Sequence, residues 1–179
     1  MSLKPTIEDI RSLGHHQTTY DWGIQFINIP QMLSGFTSAD LNTRCTTADI
    51  PSRSMDEIPI QLRGHKVFQH GIVSYKNKLN MTLYETMDSK VQDFLAAYMN
   101  MQWTPITGTQ VPKSLNQCSF LLTLLDSEHN PTYYYTIIGA WLQDFSPAGG
   151  LQSTSSDVLT WNCTWTFDYF IAGTKNAQA

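Results

Sequence analysis

The alternation of apolar and polar positions is clearest near the end of the chain. From Leu159 to Ile171, Trp161, Cys163, Trp165, Phe167 and Tyr169 alternate with Thr160, Asn162, Thr164, Thr166 and Asp168. A period of two is that of a strand with one face in a core and the other against polar surroundings. The same period places Tyr20, Trp22, Ile24 and Phe26 on one side of a strand ended by Pro30, and sets Leu79, Met81 and Leu83 against Asn80 and Thr82 in a strand over Lys78–Tyr84. Thr43–Ile50 reads as a further strand, stopped by Pro51. Ser119–Asp126 is an apolar run too short for a helix, and Tyr133–Leu142 is aromatic and β-branched, with Gly139 marking a bulge or a close backbone approach.

One segment breaks this rhythm. Val91, Phe94, Leu95, Tyr98 and Met99 recur at helical spacing, which predicts a helix over about 87–103 with Thr86 or Asp88 at its cap. The stretch Ser52–His70 holds Pro59, Gly64, both charge signs and two histidines, and reads as an irregular loop with a strand-like piece at Ile58–Leu62. A loop of that length in a compact domain usually contacts something. The pattern therefore predicts a single domain over 1–179: an arm (1–19) that contains His15 and His16, a β core (20–171) and a flexible tail (172–179). The fold class is mainly β, an antiparallel barrel or sandwich with one flanking α-helix. Such a sheet has edges, and closing those edges across subunits would make a ring.

Composition and charge narrow the function. With 179 residues, 41% hydrophobic and 15% charged, the chain can bury one sizeable core. A net charge of −4 argues against tight phosphate binding. Its distribution is uneven: Arg44–Lys90 holds seven basic and five acidic residues, a local balance of +2, which leaves −6 for the rest. Opposite patches of this kind can orient copies head to tail.

No motif carries chemistry. Cys45, Cys118 and Cys163 are odd in number and lack a CxxC pair, and His65 and His70 lack metal-site spacing. Gly149-Gly150 lacks the spacing of a phosphate loop, and Asp56-Glu57 reads as surface charge. The expectation is a chain without cofactor, metal or catalytic residues, made in a cytoplasm, since the first residues carry no apolar targeting stretch and no run of ~20 apolar residues could cross a membrane.

The order of pieces carries a resemblance. The basic stretch DEIPIQLRGHKVF, the strand and helix KLNMTLYETMDSKVQDFLAAYMNMQW, and the pair IIGAWLQDF and LTWNCTWTFDYF together resemble the tail tube protein family of contractile-tailed bacteriophages, over about residues 20–170. The type VI secretion tube protein is similar in fold to that family. The resemblance implies a virion structural subunit whose hexameric rings stack into a tube, with the sheath protein around it and baseplate and terminator proteins at its ends. The tape measure protein and the passing genomic DNA would occupy its lumen. On this reading Asn80, Thr82, Thr160, Asn162, Thr164 and Thr166 are candidates for the lumen wall, and Arg53, Asp56, Glu57, Arg63, His65 and Lys66 form a loop that meets the next ring. A baseplate or terminator ring of the same fold is the nearest alternative. A monomeric barrel binding a small apolar ligand is the alternative from another class.

Overall fold

In the computed structural model, which describes residues 7–12, 17–33, 35–150, 154 and 156–174, a single long strand joins the two halves of the fold. His15, His16 and most of the expected arm and tail lie outside the described residues. The chain runs from a short helix α1 (Ile7–Arg11) into β1 (Trp22–Asn28), a one-turn 3-10 helix (Gln31–Leu33), α2 (Ser38–Asn42) and β2 (Cys45–Ala48). An arm of β3 (Arg53–Leu62) and β4 (His65–Tyr75) follows, then β5 (Lys78–Tyr84) and the 13-residue helix α3 (Lys90–Gln102). The small pair β6 (Trp103–Thr104) and β7 (Thr109–Gln110) and the short helix α4 (Lys113–Asn116) lead to β8 (Cys118–Leu125). The chain then forms β9 (Pro131–Pro147), β10 (Thr160–Thr166) and β11 (Tyr169–Gly173).

The main sheet has the order β1-β8-β9-β10-β5-β2, antiparallel throughout, with β11 also paired to β9. The first half of β9 pairs with β8, and its second half with β10, so the sheet folds over on itself. The two inner faces meet through aromatic edges: Trp165 of β10 stands 6.0 Å from Phe26 of β1 and 4.9 Å from Phe120 of β8, ring centre to ring centre. Helix α3 closes one side of this core, with Phe94 6.3 Å from Phe26 and Tyr98 5.3 Å from Trp165. Val91, Phe94, Leu95 and Tyr98, four of the five positions in the expected apolar stripe, are buried there. The architecture is the expected mainly antiparallel β fold with a flanking helix.

Gly139 explains how β9 serves both halves. Its φ of +69° lies in the left-handed region, and it sits where the register with β8 shifts between the Cys118–Ala140 and Phe120–Ile137 pairs. An added Cβ there would come 2.9 Å from Asp168 Cγ and closer still to Oδ2, so only glycine fits. Both readings of Gly139 from sequence, bulge and close approach, hold together.

The final strand departs from its pattern. The backbone N–H of Phe167 donates to Asn77 O and that of Asp168 to Ile138 O, which interrupts the ladder between β10 and β11. After the interruption the parity reverses: Phe170 is buried, while Tyr169 faces out. The Asn77 side-chain amide holds the break open by donating to the carbonyls of Phe167 and Asp168.

The start of α3 also differs from expectation. Ser89 at the cap has φ +52° and makes no side-chain cap bond. The Glu85 carboxylate instead accepts from the backbone N–H of Gln92 at 2.7 Å and of Val91 at 3.3 Å, and from Trp161 Nε1 at 3.0 Å. A carboxylate at a helix N-terminus satisfies free amides and complements the dipole. Asp88 accepts only a longer bond from Lys90 N, 3.4 Å, and its carboxyl is held down to about 2, first by the Thr86 hydroxyl and then by Arg44. Glu85→Ala is expected to lower the unfolding free energy by roughly 1–2 kcal/mol, read from urea unfolding, since it removes a cap and leaves the Trp161 N–H without its acceptor.

Candidate assembly surfaces

The stretch expected as an irregular loop is a long two-stranded arm. β3 and β4 pair from Arg53–Tyr75 to Leu62–His65, about 33 Å of hairpin at the usual rise per residue. Arg63 and Gly64 both have positive φ, 47° and 84°, which is the backbone of a tight type I′ turn. A bulge places Gly71 and Ile72 against Asp56, and at Gly71 a Cβ would lie 2.8 Å from Asp56 O. At its base the arm is tied down by Lys76 N donating to Ser52 O and by Tyr75 packing 5.6 Å from Phe170.

Nearly the whole arm is exposed, and its residues are not those of a solvated loop. Cross-strand partners share a face. Ile58, Ile60 and Leu62 thus lie beside Gln69, Val67 and His65, an aliphatic face with Leu62 at 68% and Val67 at 60% exposure. The sequence groups Arg53, Asp56, Glu57, Arg63, His65 and Lys66 as one contact loop. The arm separates them: Arg53 stands at its base and Arg63 at its tip, and Glu57 pairs with His70. Lys66 pairs with Gln61 and sits 4.7 Å over the Phe68 ring. An isolated two-stranded ribbon is marginal in water, so a ribbon with an open aliphatic face is suited to gain order from a neighbour.

The second surface is the outer face of β10 and β5. All six residues singled out from the alternation lie in this register. Asn162 pairs with Thr82, Thr164 with Asn80, and Thr160 and Thr166 continue the row opposite Tyr84 and Lys78. Their side chains bond across the strands: Thr82 Oγ1 donates to Asn162 Oδ1 at 3.1 Å, and Thr164 Oγ1 to Asn80 Oδ1 at 3.0 Å. Thr166 Oγ1 donates to Gln143 Oε1 at 2.7 Å, and Asn80 Nδ2 to Asp49 Oδ2 at 2.7 Å. In this ladder the hydroxyls of Thr82, Thr164 and Thr166 are each taken up by a neighbouring side-chain amide oxygen. Asp144 lies beside Thr164, so the row carries the negative charges of Asp49 and Asp144 against the positive charge of Lys78.

This sheet also ends openly. Among the described residues no strand pairs the outer flank of β2, or the flank of β9 from Trp141 to Pro147 that points away from β10. Unpaired N–H and C=O groups there can accept another chain's strand.

Two of the three thiols, Cys118 and Cys163, are buried, and Cys45 is half-buried. Burial pushes Cys45 and Cys163 up to about 12 and raises Cys118 as well, which keeps all three protonated near neutrality. Among the described residues no group of three or more His, Cys, Asp or Glu side chains is placed to hold a metal, and no helix is long and apolar enough to cross a membrane.

Together these features define a class: an antiparallel β domain with one polar face, open strand edges and a projecting arm. No protein-family model matches the chain and no curated protein matches it in sequence. Solved structures do match. A chain in the cryo-EM structure of the sheath/tube terminator of an extracellular contractile injection system, PVC, in the extended state is 12% identical, with a TM-score of 0.64 over 90% of this chain and 99% of that chain. A chain of the anti-feeding prophage baseplate, a 6-fold symmetrised structure, is 14% identical, with a TM-score of 0.60 over 90% and 97%. A chain of the PVC sheath-tube complex is 12% identical, with a TM-score of 0.59 over 96% and 99%. At these identities the likeness is one of fold: this chain has the tail-tube-like fold found in contractile injection systems.

Proposed function

We propose that the chain is a structural subunit of the inner tube of a contractile tail, that it assembles into hexameric rings which stack, and that its role is architectural, without catalysis. The observation that carries this reading is the polar ladder of β10 and β5 on a sheet whose two flanking edges are unpaired. Joined edge to edge around a ring, such sheets form a continuous wall with Asn80, Thr82, Asn162, Thr164 and Thr166 toward the lumen. The hydroxyls of Thr82, Thr164 and Thr166 are already bonded to neighbouring amides, and the wall's charge is slightly acidic. It would therefore not grip phosphates, because each neutralised phosphate adds affinity that slows passage. That suits a lumen which holds a tape measure protein and then conducts a phage genome, in a virion assembled in the host cytoplasm. A sheath outside, and baseplate and terminator proteins at the ends, complete the set of partners.

The β3–β4 arm is the element we assign to stacking, with Arg53 and Arg63 supplying charge to an acidic receiving surface. Exposed ion pairs are worth roughly 0.2–1 kcal/mol each, so their effect depends on repetition around the ring and weakens with salt. Reversing Arg53 and Arg63 to Glu should leave rings but shorten tubes. Negative-stain images with unaltered tube length overturn this role for the charges.

A second reading has support of its own, since the solved structures of like fold include a sheath/tube terminator and a baseplate. In that reading the chain forms one terminal ring. Electron microscopy of the purified protein over a concentration series tests both. Long tubes support the main tube subunit, solitary rings the terminal ring, and a persistent monomer sinks both.

A further inference from the structure

An open groove of about 290 Å³ lies where the segment before β1, the end of β2 and the second half of β8 converge. Its apolar walls are Trp22, Ala48, Ile50, Leu122 and Leu124. Leu122 is buried, but Trp22, Ala48 and Leu124 are only half-buried and Ile50 is 58% exposed, so an apolar surface is open to a neighbour. The polar walls tie the groove to acidic groups. Thr18 Oγ1 donates to the Asp21 carboxylate, and Gln17 Nε2 donates to Leu125 O at 2.7 Å, where the turn with Asp126 and Glu128 begins. Among the described residues none of these three carboxylates pairs with a Lys or Arg. The stretches 12–43 and 114–174, which supply these walls and carboxylates, contain no Lys or Arg at all.

The tip of the β3–β4 arm carries the complementary set. Ile60 pairs with Val67 and Leu62 with His65 on one face, and Leu62 and Val67 are exposed. Arg63 stands in the turn and Lys66 beside it, while residues 60–69 contain no acid. The groove lies near the arm's own base, since Ile50 is followed closely by Arg53, whereas the tip is a hairpin's length away, about 33 Å at the usual rise. We propose that the groove is the seat for the arm tip of a second copy in the adjoining ring. Leu62 and Val67 pack there against Trp22, Ile50 and Leu124, and Arg63 and Lys66 meet Asp126 and Glu128. The proposal rests on the stacking reading above and names the surface that receives the arm. A tip that meets a groove elsewhere on the molecule makes a heterologous contact, which leaves a free tip at one end and a free groove at the other. Repeated stacking needs that property. Apolar burial supplies affinity, and the opposite charges orient the approach.

The test uses two measurements on the full chain. Ile50→Lys removes an aliphatic contact and sets a cation against Arg63 and Lys66, at a position exposed enough that the urea midpoint should hold. The variant should still form rings, but the concentration at which rings stack into tubes should rise about tenfold or more. In the second measurement, Leu62→Cys protein is mixed with Ile50→Cys protein under tube-forming conditions and oxidised with copper phenanthroline. A disulfide-linked dimer is expected from the mixture and not from either variant alone. If Ile50→Lys stacks within about twofold of the wild-type concentration, if it loses rings as well as tubes, or if the mixture gives no more dimer than the separate variants, the proposal is overturned. Should Ile50→Lys fail to fold, the cross-link decides alone. The wild type separates the two levels of failure: stacked wild-type rings with equally stacked variants defeat this inference alone, whereas wild type that never stacks defeats the stacking reading itself.

Discussion

Replacing Gly139 with alanine is expected to lower the free energy of unfolding by about 3 kcal/mol or more, among the larger effects a single methyl group can have. Two costs combine. A φ of +69° is unfavourable for any residue with a Cβ by roughly 1–2 kcal/mol. The new Cβ also overlaps the Asp168 carboxylate, which must leave its contact with Lys113 and pull on the bond from Asp168 N to Ile138 O. That bond pins the break between β10 and β11, so the damage reaches the burial of Phe167 and Phe170. Urea unfolding of Gly139→Ala, Asp168→Ala and the double variant separates the two costs. Asp168→Ala by itself loses only a largely exposed ion pair and should cost less than about 1 kcal/mol. In the double variant the overlap is relieved, so its loss should be well below that of Gly139→Ala alone. A loss under about 1 kcal/mol for Gly139→Ala would mean that the bend in β9 does not depend on the missing side chain.

The same region shows what the sequence can and cannot convey. Where a strand has one face in the core and the other in polar surroundings, alternation exposes it, and so β5, β10 and the polar ladder between them are legible from the residues alone. Alternation cannot report a residue whose backbone leaves the ladder. Phe167 and Asp168 do so because Asn77 and Ile138 capture their N–H groups, and those partners are far away in sequence. In the second half of β9 the polar Gln143, Asp144 and Ser146 mask the strand in the sequence, yet it pairs with β10 through Pro147, with Asp144 and Ser146 beside the polar row and Leu142 turned into the core. The arm escapes the pattern for a related reason. Both of its faces are open in the free chain, so no burial contrast marks its strands, and Pro59 and the charges suggest a loop. The one local signal is Arg63-Gly64, which suits a tight hairpin turn.

The arm also carries the largest expected effect on assembly. Replacing Ile58, Ile60, Leu62 and Val67 together by threonine places a β-branched residue, which favours a strand, at all four positions and removes the aliphatic face. Because Ile58, Leu62 and Val67 are exposed and Ile60 is only half-buried in the isolated subunit, its urea midpoint should fall little. Stacking should suffer far more. Burying an aliphatic side chain of this size against a neighbour contributes roughly 1.5–3 kcal/mol when complete, so even half of that, summed over four positions, is about 3–6 kcal/mol per arm. At 1.4 kcal/mol per factor of ten this is roughly a hundredfold to ten-thousandfold loss in affinity per contact, repeated at every subunit. Expected are rings without tubes at concentrations where the wild type forms tubes. Comparison with the charge reversal of Arg53 and Arg63 then shows whether apolar burial or charge holds the rings together. If apolar burial drives docking, added salt shortens wild-type tubes only slightly and the threonine variant stays ringed at every ionic strength. If instead the threonine variant forms tubes of normal length while tubes of the wild type dissolve in salt, the arm docks by charge and its aliphatic face lies elsewhere in the assembly.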